Sequence, residues 1–331
     1  MKLYTFLPKN NDQQKLGVEH NGYLADVAAI NQREKLVDAS SLESMQSLIE
    51  SGPSVLKTIP ALLDKAQKSD LYDNTAVSVL PPIPIPVQVR DFLAFEKHLL
   101  QAFSNIPSVR NYIENGTIEG KPLVPNEEEA NMARQAISQT WYEQPVYYKC
   151  NRFATSGHDD TVIWPSYSMI MDYELEFAMV IGKGGKNITK ENARDHIFGY
   201  TIFNDLSARD AQLREMVCQL GPAKGKDFDG ANAMGPCIVT ADEISDPYNL
   251  KMTAHVNGEL WSEGTSADMY HKFEDMIAHV SQCETLHPGE IFGSGTVGNG
   301  CGGETLKFPD SGDVVELSIE GIGTLKTTLS R

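Results

Sequence analysis

The alternation of polar and apolar side chains across residues 173–182 predicts a β-strand. The run is Tyr173-Glu174-Leu175-Glu176-Phe177-Ala178-Met179-Val180-Ile181-Gly182. Successive strand side chains point to opposite faces, so Glu174, Glu176, Ala178 and Val180 share one face and Leu175, Phe177, Met179 and Ile181 the other. The glutamate face turns apolar after Glu176, which predicts a strand buried on both sides. Further strands are predicted at residues 2–7, 14–19 and 23–27, with Asn21-Gly22 as a hairpin turn. The aromatic-rich run from His196 to Asp205 predicts another buried strand. Phe92, Phe95, Leu99 and Phe103 lie at helical spacing behind Asp91, a suitable N-cap. Asp91 and His98, seven apart, would then lie about two turns apart on one side of that helix. A second helix follows the capping-box pattern Asn126-Glu127-Glu128-Glu129, with Ala130, Ala133, Ile137 and Trp141 as its buried stripe. Shorter helical patches are expected at residues 42–49, 55–68 and 190–195. Residues 235–331 read mostly as β-structure, with hairpin turns at Asn257-Gly258 and at 310–313. One helix interrupts them, burying Met269, Phe273, Met276, Ile277 and Val280.

Four prolines between Leu80 and Pro86 force an extended segment. This predicts a small N-terminal domain over residues 1–85 and a larger one over 86–331. The 331 residues carry a net charge of −17, which argues against a nucleic-acid binder. No apolar run is long enough to span a bilayer, and Met1 to Phe6 lack the apolar stretch of a signal peptide. The five cysteines form no paired spacing, as expected of reduced thiols in a cytoplasmic protein.

Candidate chemistry gathers at strand ends and glycine-rich loops. For Glu174 and Glu176 two readings stand. Either the strand end reaches solvent, or a divalent cation offsets their repulsion and desolvation. Asp205 is a natural third carboxylate, or else the cap of the next turn. His98 taken alone is a packed or surface histidine. Residues 220–230 form a glycine-rich loop with Lys224 and Lys226, but neither a phosphate-binding P-loop nor a dinucleotide fingerprint is present. The loop instead suggests backbone and a lysine brought near an anion. Residues 293–304 are extreme in glycine, consistent with backbone approaching a ligand.

The order Asp91, His98, Glu174-x-Glu176, Asn204-Asp205 through Asp210, Gly225-Lys226, Gly295-Thr296 and Glu304 resembles the fumarylacetoacetate hydrolase family over residues 80–331. The resemblance implies an α+β, β-rich fold: a mixed β-sandwich roll behind a small β-rich N-terminal domain. It implies a Mg²⁺ site (or Ca²⁺/Mn²⁺) built from Asp91, Glu174, Glu176 and Asp205. His98 would be the general base, oriented by Glu304. Lys226 would stabilise developing charge, and Tyr148, Gln212 and Thr296 would contact substrate. The implied activity is hydrolysis of a C–C bond in a β-diketo acid such as an acylpyruvate or fumarylacetoacetate. Decarboxylation, dehydration or isomerisation of a 2-keto or sugar acid on the same site is the alternative. A homodimer acting on a small dicarbonyl acid is expected. Two positions depart from the family's hydrolase pattern. Leu93 replaces a tyrosine and Pro107 an arginine, with Arg110 the nearest cation that could stand in.

Overall fold

Every residue of the strand Glu176–Ile181 is buried. Phe177, Met179 and Ile181 enter one hydrophobic cluster, whereas Ala178 and Val180 enter another. The predicted alternation is thus realised as a strand shared between two cores. These relations come from a computed structural model that describes residues 1–118 and 121–331.

The strand lies inside a 12-stranded mixed sheet. It pairs antiparallel with Ile197–Asp205 on one side and with Glu290–Gly293 on the other. Glu290–Gly293 runs parallel to Gln88–Phe92, which in turn pairs antiparallel with Tyr147–Lys149. A five-stranded sheet, Glu259–Thr265, Lys251–Val256, Val314–Ile319, Gly323–Ser330 and Asp160–Ile163, forms the second layer. Met252, Ala254, Leu317 and Leu325 from that layer join Phe177, Tyr200 and Ile202 in a common core, completed by Phe273, Met276 and Ile277 of the helix Phe273–Val280. The architecture is therefore β-rich α+β.

The strands Lys2–Pro8, Lys15–His20, Tyr23–Asp26 and Leu71–Tyr72 extend the large sheet, because Lys2–Pro8 pairs with Asn232–Thr240. The hairpin at Asn21-Gly22 forms, with His20 opposite Tyr23. Leu3, Val18, Ile30 and Leu48 pack with Ala178, Val180 and Phe203 across the opposite face of the sheet. No described helix is long and apolar enough to cross a membrane.

Three local expectations are corrected. Asp91 is not a helix cap: it belongs to the strand Gln88–Phe92, and the helix begins only at Glu96. Pairing on both edges satisfies the backbone of Gln88–Phe92 more fully than a helical first turn, whose leading N–H groups lack partners. Residues 55–68 are not one helix but Pro53–Leu56 and Ile59–Leu63, with a proline in the first turn of each. The turn at 310–313 leads into Val314–Ile319 instead of joining a hairpin; that strand pairs with the following Gly323–Ser330.

Candidate active site

Three strands of the large sheet deliver the acidic cluster, two of them neighbours and the third one strand further on. Asp91 lies on Gln88–Phe92, Glu176 opens Glu176–Ile181, and Asp205 closes Ile197–Asp205. Glu174 is held two residues ahead of its strand by a β-bridge to Cys301. Carboxylate oxygens of Asp91, Glu174, Glu176 and Asp205 lie within 4.8 Å of one another, and all four residues are buried. Asp91 is brought to Glu176 across Gly293, which faces Asp91 on one edge and Ala178 on the other. A Cβ at Gly293 would stand 2.4 Å from Asp91 Oδ1. Gly293→Ala is therefore expected to displace Asp91 and weaken Mn²⁺ binding by about 10–100-fold, read by titration calorimetry.

The cluster is short of positive charge. Lys226 Nζ donates to Glu174 Oε2 at 2.7 Å and Asp205 Oδ2 at 2.5 Å. Arg209 donates through Nη2 to Glu174 Oε1 at 2.7 Å and through Nε to Asp172 Oδ2 at 2.6 Å. Two buried cations thus serve five buried carboxylates. Asp91 Oδ1 and Asp205 Oδ1 are buried without a hydrogen-bond donor. Burial, then the Asp205 charge, pushes the Asp91 carboxyl well above its ordinary range. Burial and the neighbouring Asp91 do the same to Glu176. Burial also pushes Glu174 up, but Lys226, Arg209 and His98 outweigh it and hold that carboxyl below its usual range. Orphaned lone pairs, surplus negative charge and an all-oxygen donor set fit a hard divalent cation.

The loop from Gly293 to Glu304 closes the cluster from above. Gly295 N–H donates to Glu176 Oε2 at 3.0 Å, and Thr296 Oγ1 lies 3.4 Å from Glu176 Oε1. Gly295 has φ +79°, and a Cβ there would stand 2.4 Å from the Phe92 carbonyl oxygen. Only glycine meets both conditions.

His98, on the first turn of the helix Glu96–Asn115, reaches the same space from the other side. Its Nδ1 lies 3.4 Å from Glu304 Oε1, without hydrogen-bond alignment, and has no other partner. Glu304 is fixed by backbone donors: Asn299 N–H to Oε1 at 3.0 Å and Cys301 N–H to Oε2 at 3.1 Å. Gln101 exchanges two hydrogen bonds with Asn299, and Asn105 Nδ2 reaches the Glu304 carbonyl at 3.4 Å. These contacts tie the histidine helix to the glutamate loop.

A cavity of about 760 Å³ joins the two halves. Asp91, His98, Tyr148, Glu174, Glu176, Gln212, Lys226 and Thr296 line it; Asp205 and Glu304 stand behind this surface. Tyr148 Oη donates to Asp205 Oδ2 at 2.6 Å, and Gln212 Oε1 accepts from Arg209 Nη1 at 2.8 Å. Arg110 is exposed and is not part of the lining, so it does not replace the arginine lost at Pro107.

Sequence reasoning missed Asp172, Gln101 and Asn105, and gave Arg209 no role at the site. Asp172 is fully buried. Besides Arg209 it accepts Gly302 N–H at 2.7 Å and Gly303 N–H at 3.0 Å, anchoring the turn that carries Glu304. The only hint was a carboxylate inside an otherwise apolar approach to the central strand. Asp172→Ala leaves Arg209 half-paired and is expected to cost about 3 kcal/mol, measured by urea denaturation.

Residues 123–330 match the family model of the fumarylacetoacetate (FAA) hydrolase C-terminal domain. The chain is 32% identical over 330 residues to the mitochondrial oxaloacetate tautomerase fahd2 of Xenopus laevis, covering 98% of this chain and 89% of that protein. It is 39% identical over 191 residues to the oxaloacetate tautomerase YisK of Bacillus subtilis, covering 56% of this chain and 62% of that protein. Among solved structures, the fumarylacetoacetate hydrolase of the psychrophile Exiguobacterium antarcticum aligns with a TM-score of 0.73 at 25% identity, covering 100% of this chain and 99% of that one. A Sphingobium maleylpyruvate hydrolase, solved with manganese(II) and pyruvate, shares the fold at 23% identity, a TM-score of 0.71 and full coverage of both chains.

Proposed function

This chain belongs to the fumarylacetoacetate hydrolase family, and we propose that it moves a proton between C3 and the 2-oxygen of oxaloacetate-like 2-oxo acids with the help of a divalent cation. The observation that carries this reading is one cavity lined by both the carboxylate cluster and His98, with Glu304 3.4 Å from His98 Nδ1. The names of the frog and Bacillus relatives support the same chemistry.

Asp91, Glu174, Glu176 and Asp205 would hold Mg²⁺, Mn²⁺ or Ca²⁺. A cation there supplies a Lewis acid for the carboxylate and 2-oxygen of the acid. Glu304 faces Nδ1, which leaves Nε2 of His98 for the substrate. Nε2 accepts the enol O–H proton and returns a proton to C3. The O–H bond breaks, the C2–C3 π pair forms the new C3–H bond, and C2–O becomes a carbonyl. Lys226 spends two of its three N–H groups on Glu174 and Asp205, so the third is left for an anionic substrate oxygen. Tyr148 and Gln212, expected at the substrate, act in this reading by holding Asp205 and Arg209.

C–C hydrolysis of a β-diketo acid is the second reading, favoured by the Glu304–His98 pair, which suits activation of water. His98 would take a proton from water as its oxygen bonds to the distal carbonyl carbon. The C–C bond then breaks with its electron pair on C3, which accepts that proton, and two acids form.

The test is a Mg²⁺-dependent assay on enol-oxaloacetate and on acetylpyruvate, with pyruvate measured separately. Faster enol loss without pyruvate supports tautomerisation. Pyruvate from acetylpyruvate supports hydrolysis, and pyruvate from oxaloacetate indicates decarboxylation. No acceleration with either acid sinks both proposals. The expected homodimer is checked by light scattering.

A further inference from the structure

Both helices that wall the cavity change character along their length. On Glu96–Asn115, His98 stands at the reacting end and Ala102, Phe103, Ile106 and Val109 continue the same side outward. On Arg209–Met216, Arg209 and Gln212 stand at the reacting end, followed by Leu213 and Met216. On both helices polar groups therefore stand at one end, and the outer turns present hydrocarbon to the cavity. At the mouth Phe103, Met216 and Leu220 stay 42%, 47% and 95% exposed, which leaves apolar surface open to water beside the site.

The cations lining the cavity are Lys149, Arg209 and Lys226. Arg209 and Lys226 are each bonded to two carboxylates. Lys149 is exposed on the strand Tyr147–Lys149, and Asp227 lines the same cavity. A second carboxylate on the substrate finds no buried cation without an anionic partner among the described residues. A cavity of about 760 Å³ is in the range, roughly 300–1,000 Å³, that encloses a ligand far larger than a four-carbon acid.

We propose that the apolar wall is a binding subsite for an uncharged hydrocarbon tail, and that among 2-oxo acids longer than oxaloacetate the site prefers those ending in an alkyl or aryl chain over those ending in a second carboxylate. This rests on the reading of the site as a 2-oxo acid enzyme and names its substrate class. The head binds at the carboxylate cluster, and the tail runs between Ile106 and Met216. Met216 suits this because an unbranched thioether adapts to tails of different shape.

Calorimetric binding of straight-chain 2-oxo acids to the Mg²⁺-loaded protein tests it, from pyruvate to 2-oxooctanoate with 2-oxoglutarate for comparison. Affinity is expected to rise roughly fourfold per methylene over the first few carbons. 2-Oxoglutarate should bind no better than 2-oxobutanoate, and the slope should flatten in Ile106→Asp. Equal affinity along the series in the native protein, or tightest binding of 2-oxoglutarate, would overturn the tail subsite while leaving the 2-oxo acid reading intact. No binding of any member, pyruvate included, would overturn both.

Discussion

His98→Asn is expected to lower kcat for oxaloacetate tautomerisation by about 10²–10⁴-fold, the usual range for a positioned acid–base group, while Mn²⁺ still binds. The reason is geometric. The cation cluster is built from strand ends, whereas His98 reaches the cavity from a helix and meets Glu304 at 3.4 Å. Removing the imidazole takes away the proton carrier without altering any carboxylate of the cation cluster. Glu304→Gln should give a smaller loss accompanied by a loss of stability. Glu304 accepts two backbone N–H groups, from Asn299 and Cys301. A glutamine can offer its carbonyl to one of them, but its NH₂ meets the other, leaving a donor unpaired at about 1–3 kcal/mol. Steady-state kinetics with calorimetric Mn²⁺ titration separates the two effects. A histidine variant that loses Mn²⁺ binding together with activity would show that His98 belongs to the cation site.

Removal of the divalent cation should destabilise the protein most at high pH. Asp91 and Glu176 are held well above their ordinary range by burial first, then by the Asp205 charge beside Asp91 and the Asp91 charge beside Glu176. For a carboxyl raised in the folded state, the fold is favoured while the group is protonated. That advantage is complete below the unfolded pKa, near 4, and is lost as pH rises through the raised folded value. Glu174 has the opposite sign: its lowered pKa adds stability above the ordinary glutamate range, lost only in strong acid. The metal-free protein should therefore lose melting temperature between mildly acidic and neutral pH. Mn²⁺ at 100 times its Kd should restore about 2.7 kcal/mol at neutral pH. Asp91→Asn removes one of the crowded charges, so it should melt higher than the metal-free native protein and gain nothing from Mn²⁺. A metal-free melting temperature that climbs steadily from pH 5 to 8 would contradict this account of the cluster.

The sequence pointed to side chains that the fold gathers around one cavity, but it misplaced some of the segments that carry them. Period-two alternation located the strand of Glu176, because each of its faces enters a separate apolar core. It could not place Asp91. An aspartate ahead of Phe92, Phe95 and Leu99 satisfies local helix signals, and the competing pairing to Glu290–Gly293 comes from about two hundred residues away. Sequence separation also hid Asp172 and Asn105, which lie 130 and 199 residues from their partners Gly302 and Glu304. Their meaning lies in partners at Gly302, Gly303 and Glu304, which local periodicity does not reach. Gly293 read as part of a ligand-facing loop, whereas its role is to leave room for Asp91 across a strand pair. Arg209 had no assigned role in the run through Asp210, yet it is buried between Asp172 and Glu174.

The most direct test of the central claim is deuterium uptake at C3 of oxaloacetate in D₂O, followed by NMR with Mg²⁺ present. If the carboxylate cluster and His98 together move the C3 proton, the native protein accelerates exchange, and both a chelator and His98→Asn return it to the uncatalysed rate. Exchange that stays fast in the chelator or in His98→Asn, or that never exceeds the uncatalysed rate, would contradict the account.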